Sequence, residues 1–154
     1  MNVVLVEPEI PPNTGNVARL CAGAGAMLHL IEPFGFQLDD RRLKRAGLDY
    51  WEHLRWRRWP DWGAFQRQLP ADARLWLIES HGARHYAEVR YGPNDWLVFG
   101  RETAGLPKEI LARYPDAWLR IPLFHAGVRS LNLSNCVALV LYEALRQQGF
   151  AGEV

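Results

Sequence analysis

Short apolar runs alternate with amphipathic stretches along the chain. Residues 3–6, Met27–Ile31, Leu75–Ile78, Trp96–Phe99 and 118–121 are each four or five residues long and bounded by turn formers, the pattern of buried strands. A weaker strand covers residues 54–56. Between them the spacing predicts a helix capped by Asn13 or Thr14 and running to about Gly23, and a short basic helix from Asp39 or Asp40 to near Gly47. Two more are expected, one from Asp61 to Leu69 stopped by Pro70 and a short one after Pro107. The strongest element is the last. Leu133, Cys136, Val137, Val140, Leu141, Ala144 and Leu145 follow helical spacing through three turns, and Gly149 ends them. Strands alternating with helices imply a mostly parallel α/β sheet flanked by helices.

In such a sheet, ligands bind in the loops leaving the carboxyl ends of strands. Three polar, glycine-punctuated segments stand at those places: residues 7–19, 99–107 and 121–135. The third carries Arg129, Ser130, Asn132, Ser134 and Asn135 around the start of the last helix. A helix start needs one capping side chain, so this surplus points to a site. Gly100 and Gly105 leave backbone accessible to a flat, edge-bonding ligand such as adenine, and residues 121–123 supply an apolar wall with a proline-fixed bend.

A second stripe on the last helix, Asn135, Leu139, Tyr142 and Arg146, lies on a different side from the core stripe. Leu139 and Tyr142 are therefore candidates for a subunit interface, the alternative being contact with another loop of the same chain. Charge is uneven although the net is only +1. Residues 41–58 hold Arg41, Arg42, Lys44, Arg45, Arg55, Arg57 and Arg58 against Asp49 and Glu52, with Trp51 and Trp56 inside and Trp59 just beyond. Cations mixed with stacking faces suit single-stranded RNA, while a solvated helix face over core tryptophans explains the same composition.

At 154 residues and 49% hydrophobic content, the chain fits one globular domain, residues 1–154. No apolar run approaches the ~20 residues that span a bilayer, and no secretion signal precedes the first strand, so a cytoplasmic location is expected. Cys21 and Cys136 sit on apolar helix faces and read as buried reduced thiols. His81 and His85 have the i, i+4 spacing of a metal pair, but Gly82 weakens a helix there and no further ligand is near, so no metal is expected. Dinucleotide, P-loop and nucleophile-elbow motifs are missing from the sequence.

Three segments in order carry a resemblance. PPNTGNVAR (residues 11–19), FGRETAGLP (99–107) and IPLFHAGVRSLNLSN (121–135) resemble motifs one, two and three of the SPOUT RNA methyltransferases. Within them the chain is most similar to the minimal TrmL (YibK-like) group of tRNA ribose methylases, a likeness that extends to EPEIPPNTGN (7–16) and RAGLDY (45–50). The resemblance implies a SPOUT fold with a C-terminal deep trefoil knot, a homodimer, and S-adenosylmethionine as methyl donor. The implied acceptor is the ribose 2′-hydroxyl of the wobble nucleotide, cytidine or modified uridine at position 34, in the anticodon stem–loop of leucine tRNAs. Alternatives are the same transfer to another tRNA or rRNA site, or a non-catalytic RNA-binding module.

By the same resemblance, Asn13, Arg19, Ser130 and Asn132 carry the chemistry. Ile78, Gly100, Glu102, Ile121, Leu123, Ser130 and Leu131 contact the donor, and Arg19 of one subunit serves the donor pocket of the other. Arg41, Arg42, Arg45, Arg55 and Arg129 are the expected RNA contacts. Glu102 attracts the sulfonium or braces Arg129, or else caps the short helix after Pro107. The chain departs from the group at Leu123, where methionine is usual, and in residues 124–128, which are one residue longer.

Overall fold

The computed structural model describes residues 1–37 and 48–154. Seven parallel strands form one sheet in the order β3-β2-β1-β6-β4-β7-β5. They are β1 (Asn2–Val6), β2 (Met27–Ile31), β3 (Trp56–Trp59), β4 (Leu75–Ile78), β5 (Arg84–His85), β6 (Trp96–Phe99) and β7 (Trp118–Arg120). Among the described residues the α-helices are α1 (Pro11–Ala24), α2 (Trp62–Gln66), α3 (Lys108–Arg113) and α4 (Leu133–Gln147), with 3₁₀ turns at Leu48–His53 and Pro115–Ala117.

Strand alternation divides the core between the two faces of the sheet. Val3, Leu5, Leu28, Leu30, Leu97 and Phe99 pack with Val17 and Cys21 of α1 and Val137, Val140 and Leu141 of α4. Val4, Val6, Ile31, Leu77 and Val98 meet Phe65 of α2 and Ile110 of α3 on the other face. Both faces are covered, which is why the central strands read as continuous apolar runs.

Several boundaries shift for physical reasons. Helix α1 begins at Pro11, two residues before the expected cap, because prolines in the first turn forfeit no helical hydrogen bond. Asn13 and Thr14 are thereby buried inside that turn, and Ile10 at the N-cap offers no capping side chain. Asp61 does cap α2, accepting from the Ala64 amide at 2.7 Å, but the helix stops at Gln66 and the chain runs on to Pro70 through turns. The weak strand expected at residues 54–56 lies instead at Trp56–Trp59, paired with β2, and β7 ends at Arg120. The basic helix expected between Asp39 and Gly47, with Arg41, Arg42, Lys44 and Arg45, lies outside the described residues.

Two features of strand order position the site. The order reverses between β1 and β6, so the loops following these neighbours leave the sheet side by side. Further out, β7 is inserted between β4 and β5, so the Glu79–Ala83 connection must cross the β7 chain. It crosses at Gly82, where an added Cβ would lie 2.4 Å from the Leu119 carbonyl carbon. Arg120 fastens the crossing through Nη1 to the Gly82 and Ala83 carbonyls at 2.7 and 2.8 Å. The two-residue strand β5 is too short to leave a periodic signal in the sequence.

Candidate functional site

The loops after β1 and β6 are laced together. The Glu7 carboxylate meets Arg101 at 3.4 Å, with Glu7 itself in a left-handed backbone conformation at φ 53°. Glu9 accepts from the Thr103 amide at 3.1 Å and from its hydroxyl at 2.8 Å. The Glu102 carboxylate runs the other way, accepting from the Glu9 amide at 2.8 Å and the Ile10 amide at 3.2 Å. A carboxylate on the two amides just ahead of α1 anchors the entry to that helix and complements its dipole, while the prolines at its first two positions carry no N–H to cap. Glu102 thus neither braces Arg129 nor caps α3; it holds the start of a different helix.

From Glu102 a directional hydrogen-bond chain crosses all three loops. Asn13 donates from Nδ2 to Glu102 at 3.1 Å, and its Oδ1 accepts from Asn132 Nδ2 at 2.8 Å. Asn132 Oδ1 then accepts from the Ser134 amide at 2.9 Å and hydroxyl at 2.7 Å, capping α4. A carboxylate can only accept, so the orientation of each amide follows from it in turn. Three residues distant in sequence, Asn13, Glu102 and Asn132, thereby form one cluster.

Arg19 does not join that cluster. Six residues at about 100° each place it well round α1 from the buried Asn13. It is exposed, with its guanidinium carbon 4.7 Å from the Tyr50 ring centre and Nη2 3.4 Å from the Tyr50 hydroxyl. Tyr50 was missed by the sequence reading; its signal was its place inside the RAGLDY segment.

Ile121, Leu123 and Leu131 line an apolar cleft of about 500 Å³ together with Tyr86, Phe124 and Leu139. Ile78 and Gly100 sit at the strand ends nearby, outside that lining. Gly100 is required by the turn that follows it, since a Cβ there would fall 2.1 Å from the Gly105 carbonyl carbon. Arg129 and Ser130 are exposed on the third loop. The Leu139 and Tyr142 stripe is 41% and 47% exposed, an apolar face left uncovered among the described residues.

At the basic edge, Arg55 is exposed and donates to the Gly25 carbonyl at the end of α1, while Arg58 pairs with Glu32. Trp51 and Trp56 pack against each other with ring centres 5.1 Å apart, and Trp59 donates to His29 at 3.1 Å. All three are half-buried against the core, which favours the core-tryptophan alternative over free stacking faces. His29 is neutral, its pKa pushed down to about 4 by burial and by Arg57.

Burial pushes the Cys21 thiol up to about 12 and the Cys136 thiol to about 11, the condition of inert reduced cysteines. His85 lies in β5 and pairs with Glu88, so helical spacing to His81 does not apply. Among the described residues, no group of three or more His, Cys, Asp or Glu side chains could hold a metal, and no helix is long and apolar enough to cross a membrane.

Fold and site define an α/β protein with an apolar cleft and a polar cluster at the carboxyl end of a parallel sheet. Residues 1–142 match the SpoU rRNA Methylase family, and the chain belongs to that family. It is 53% identical to the tRNA (cytidine(34)-2′-O)-methyltransferase of Burkholderia ambifaria, over 98% of this chain and 97% of that one. It is 54% identical to the protein of the same name from Saccharophagus degradans, with the same coverage. Among solved structures, one described as giving structural insights into the 2-OH methylation of C/U34 on tRNA has a TM-score of 0.92 at 46% identity, covering 97% of this chain and 96% of that chain. The AdoMet-bound rRNA methyltransferase of Sinorhizobium meliloti has a TM-score of 0.83 at 29% identity, covering 94% of this chain and 55% of that chain.

Proposed function

We propose that this chain transfers the methyl group of S-adenosylmethionine to the ribose 2′-hydroxyl of nucleotide 34 in tRNA, with leucine tRNA anticodon stem–loops as its substrates. The observation that carries the proposal is the Glu102–Asn13–Asn132 hydrogen-bond chain joining all three loops beside the cleft. Relatives named for this activity align over nearly their whole length. An rRNA acceptor is favoured only by the family description and by a less similar structure of which the chain covers 55%.

The cleft fits the donor. Its volume falls within the ~300–1,000 Å³ usual for small-molecule sites, and its apolar wall at Ile121, Leu123 and Leu131 suits an adenine face. Ile78, Gly100 and Ser130 complete the expected contacts, and Glu102 acts on the donor site through Asn13. When bound, the donor supplies an activated methyl on sulfur, so the protein's task is positioning and hydroxyl activation. The 2′-oxygen attacks in line, the C–O bond forms as the C–S bond breaks, and the hydroxyl proton must leave.

Arg19 stays protonated in essentially any setting and cannot be the base. It binds a phosphate of the RNA and stabilises negative charge developing on the 2′-oxygen, and the phosphate takes the proton. Arg19 points away from the Asn13 cluster of its own chain, which supports the role that the resemblance implies for it at the cleft of a second subunit. The dimer face is the α4 stripe of Leu139 and Tyr142, and Leu139 also lines the cleft. Arg129, Arg55 and the basic segment holding Arg41, Arg42 and Arg45 engage the RNA backbone. We read the chain as a cytoplasmic single domain with a C-terminal deep trefoil knot, a reading supported by the crossing of the 79–83 connection over β7 at Gly82.

The test uses two synthetic leucine anticodon stem–loops, one with a 2′-hydroxyl and one with 2′-deoxyribose at position 34, and a labelled donor. Transfer to the first alone is expected. Equal labelling of both places the acceptor elsewhere. Tyr142→Asp is expected to yield monomers with little activity at low concentration, and an active dimer would refute the α4 interface.

A further inference from the structure

Glu79 is a charged residue directly after the buried strand β4, between Ile78 and the Gly82 crossing. It takes no part in the Glu102–Asn13–Asn132 chain. Its main-chain amide continues the β4–β7 ladder by donating to the Leu119 carbonyl at 2.9 Å. Its carboxylate turns towards the β6 loop, where Oε1 accepts from the Leu106 amide at 2.6 Å. It also lies over the Gly105 α-carbon, so that a Cβ added at Gly105 would fall 2.7 Å from Oε1 and 3.0 Å from Oε2. Gly105 has a left-handed φ of 66° and closes a turn with Arg101 through paired amide–carbonyl bonds of 3.0 and 2.9 Å. Burial raises the Glu79 pKa, and the Leu106 and Ser80 amides oppose that shift.

One residue therefore connects the ends of all three strands that border the expected donor site: its backbone continues β4 and bonds β7 through the main-chain amide, and its carboxylate reaches the β6 loop. We infer that Glu79 is a positioning residue for the methyl donor, clamping the residue 100–106 turn against the ends of β4 and β7 so that the wall facing the donor is formed before binding. The inference rests on the reading that the donor lies between these strand ends and the 121–131 loop. A loop held in its bound geometry need not be ordered when the ligand arrives. Without the carboxylate, the Leu106 amide loses its acceptor in a partly enclosed place and the turn loses its cover.

Donor affinity is measured by calorimetry with S-adenosylmethionine alone, and methyl transfer is then followed at varied donor with saturating RNA. Glu79→Ala is expected to weaken donor binding about tenfold and to raise the donor KM equally, the scale of one lost acceptor for a buried amide. The kcat at saturating donor should stay within about twofold, because no reacting group is touched. Glu79→Gln, which keeps an acceptor oxygen over Leu106, should restore affinity to within about threefold. If the alanine chain does not fold, Glu79→Leu gives the same comparison, filling the space over Gly105 without an acceptor.

Wild-type donor affinity in the alanine or leucine variant overturns the inference. So does equal loss in the glutamine variant, which would assign the effect to charge. Leu123→Asp separates the two levels. If it abolishes donor binding while Glu79→Ala does not, only the clamp is wrong; if neither matters, the donor site itself is misplaced.

Discussion

The loops after β1 and β6 differ sharply from the loop after β7. The first two are bound to each other by Glu7–Arg101, Glu9–Thr103 and the Glu102 carboxylate on two amides, with Asn13 and Thr14 buried beneath. Residues 123–130 are all exposed, and their own bonds are local: Val128 donates to the His125 carbonyl, and Gly127 to the His125 ring. On the proposed function, the polar groups that orient reacting atoms are fixed in advance on one side of the cleft, where misplacement is costly. The other side is an apolar wall that on the same reading needs only shape, which leaves room for an extra residue.

The largest effect that sharpens this contrast should come from α1, the helix that the latched loops start. Arg19→Ala is expected to lower kcat about a thousandfold while calorimetry shows unchanged donor affinity. Equal loss of both would make Arg19 part of the donor wall. Next, Glu102→Ala removes the acceptor of the Glu9 and Ile10 amides and of Asn13. Turnover should fall about a hundredfold and unfolding free energy by about 2 kcal/mol, read by steady-state kinetics and urea denaturation. Stability loss with normal turnover would show that the latch is only scaffolding.

Tyr50→Ala, which strips the ring from Arg19, should lower kcat about tenfold. Tyr50→Phe should keep most activity, since the ring face supplies the cation–π contact and the hydroxyl lies 3.4 Å away. The smallest effect belongs to the open side. Phe124 is 96% exposed, so Phe124→Ser should move stability by less than about 0.5 kcal/mol and the donor KM by about threefold. A stability loss like that of Glu102→Ala would erase the distinction between the two regions.

Much of the fold was legible because the central strands stand out as apolar runs and α4 carries a strong helical period, and all three candidate loops lie where glycine and polar residues interrupt them. What was not legible depends on contacts made across long sequence distances. Asn13 reads as a cap for α1, but its side chain lies inside the first turn and donates to Glu102, 89 residues later. Trp51, Trp56 and Trp59 read equally well as stacking faces or core, and only packing against α1 and β2 decides for the core. Glu79 gives no pattern at all; it matters through an amide 27 residues away. The two-residue β5 and the crossing at Gly82 follow from strand order, which local periodicity does not encode.

The central claim is transfer of a methyl group to the wobble ribose, and one measurement addresses it directly. The purified protein is incubated with labelled S-adenosylmethionine and total tRNA lacking this modification, and the RNA is digested and its labelled nucleotide located by mass spectrometry. The expected result is label on a 2′-O-methylated nucleotide at position 34 of leucine tRNAs. Label on a base or at another position, or none despite measured donor binding, would contradict it.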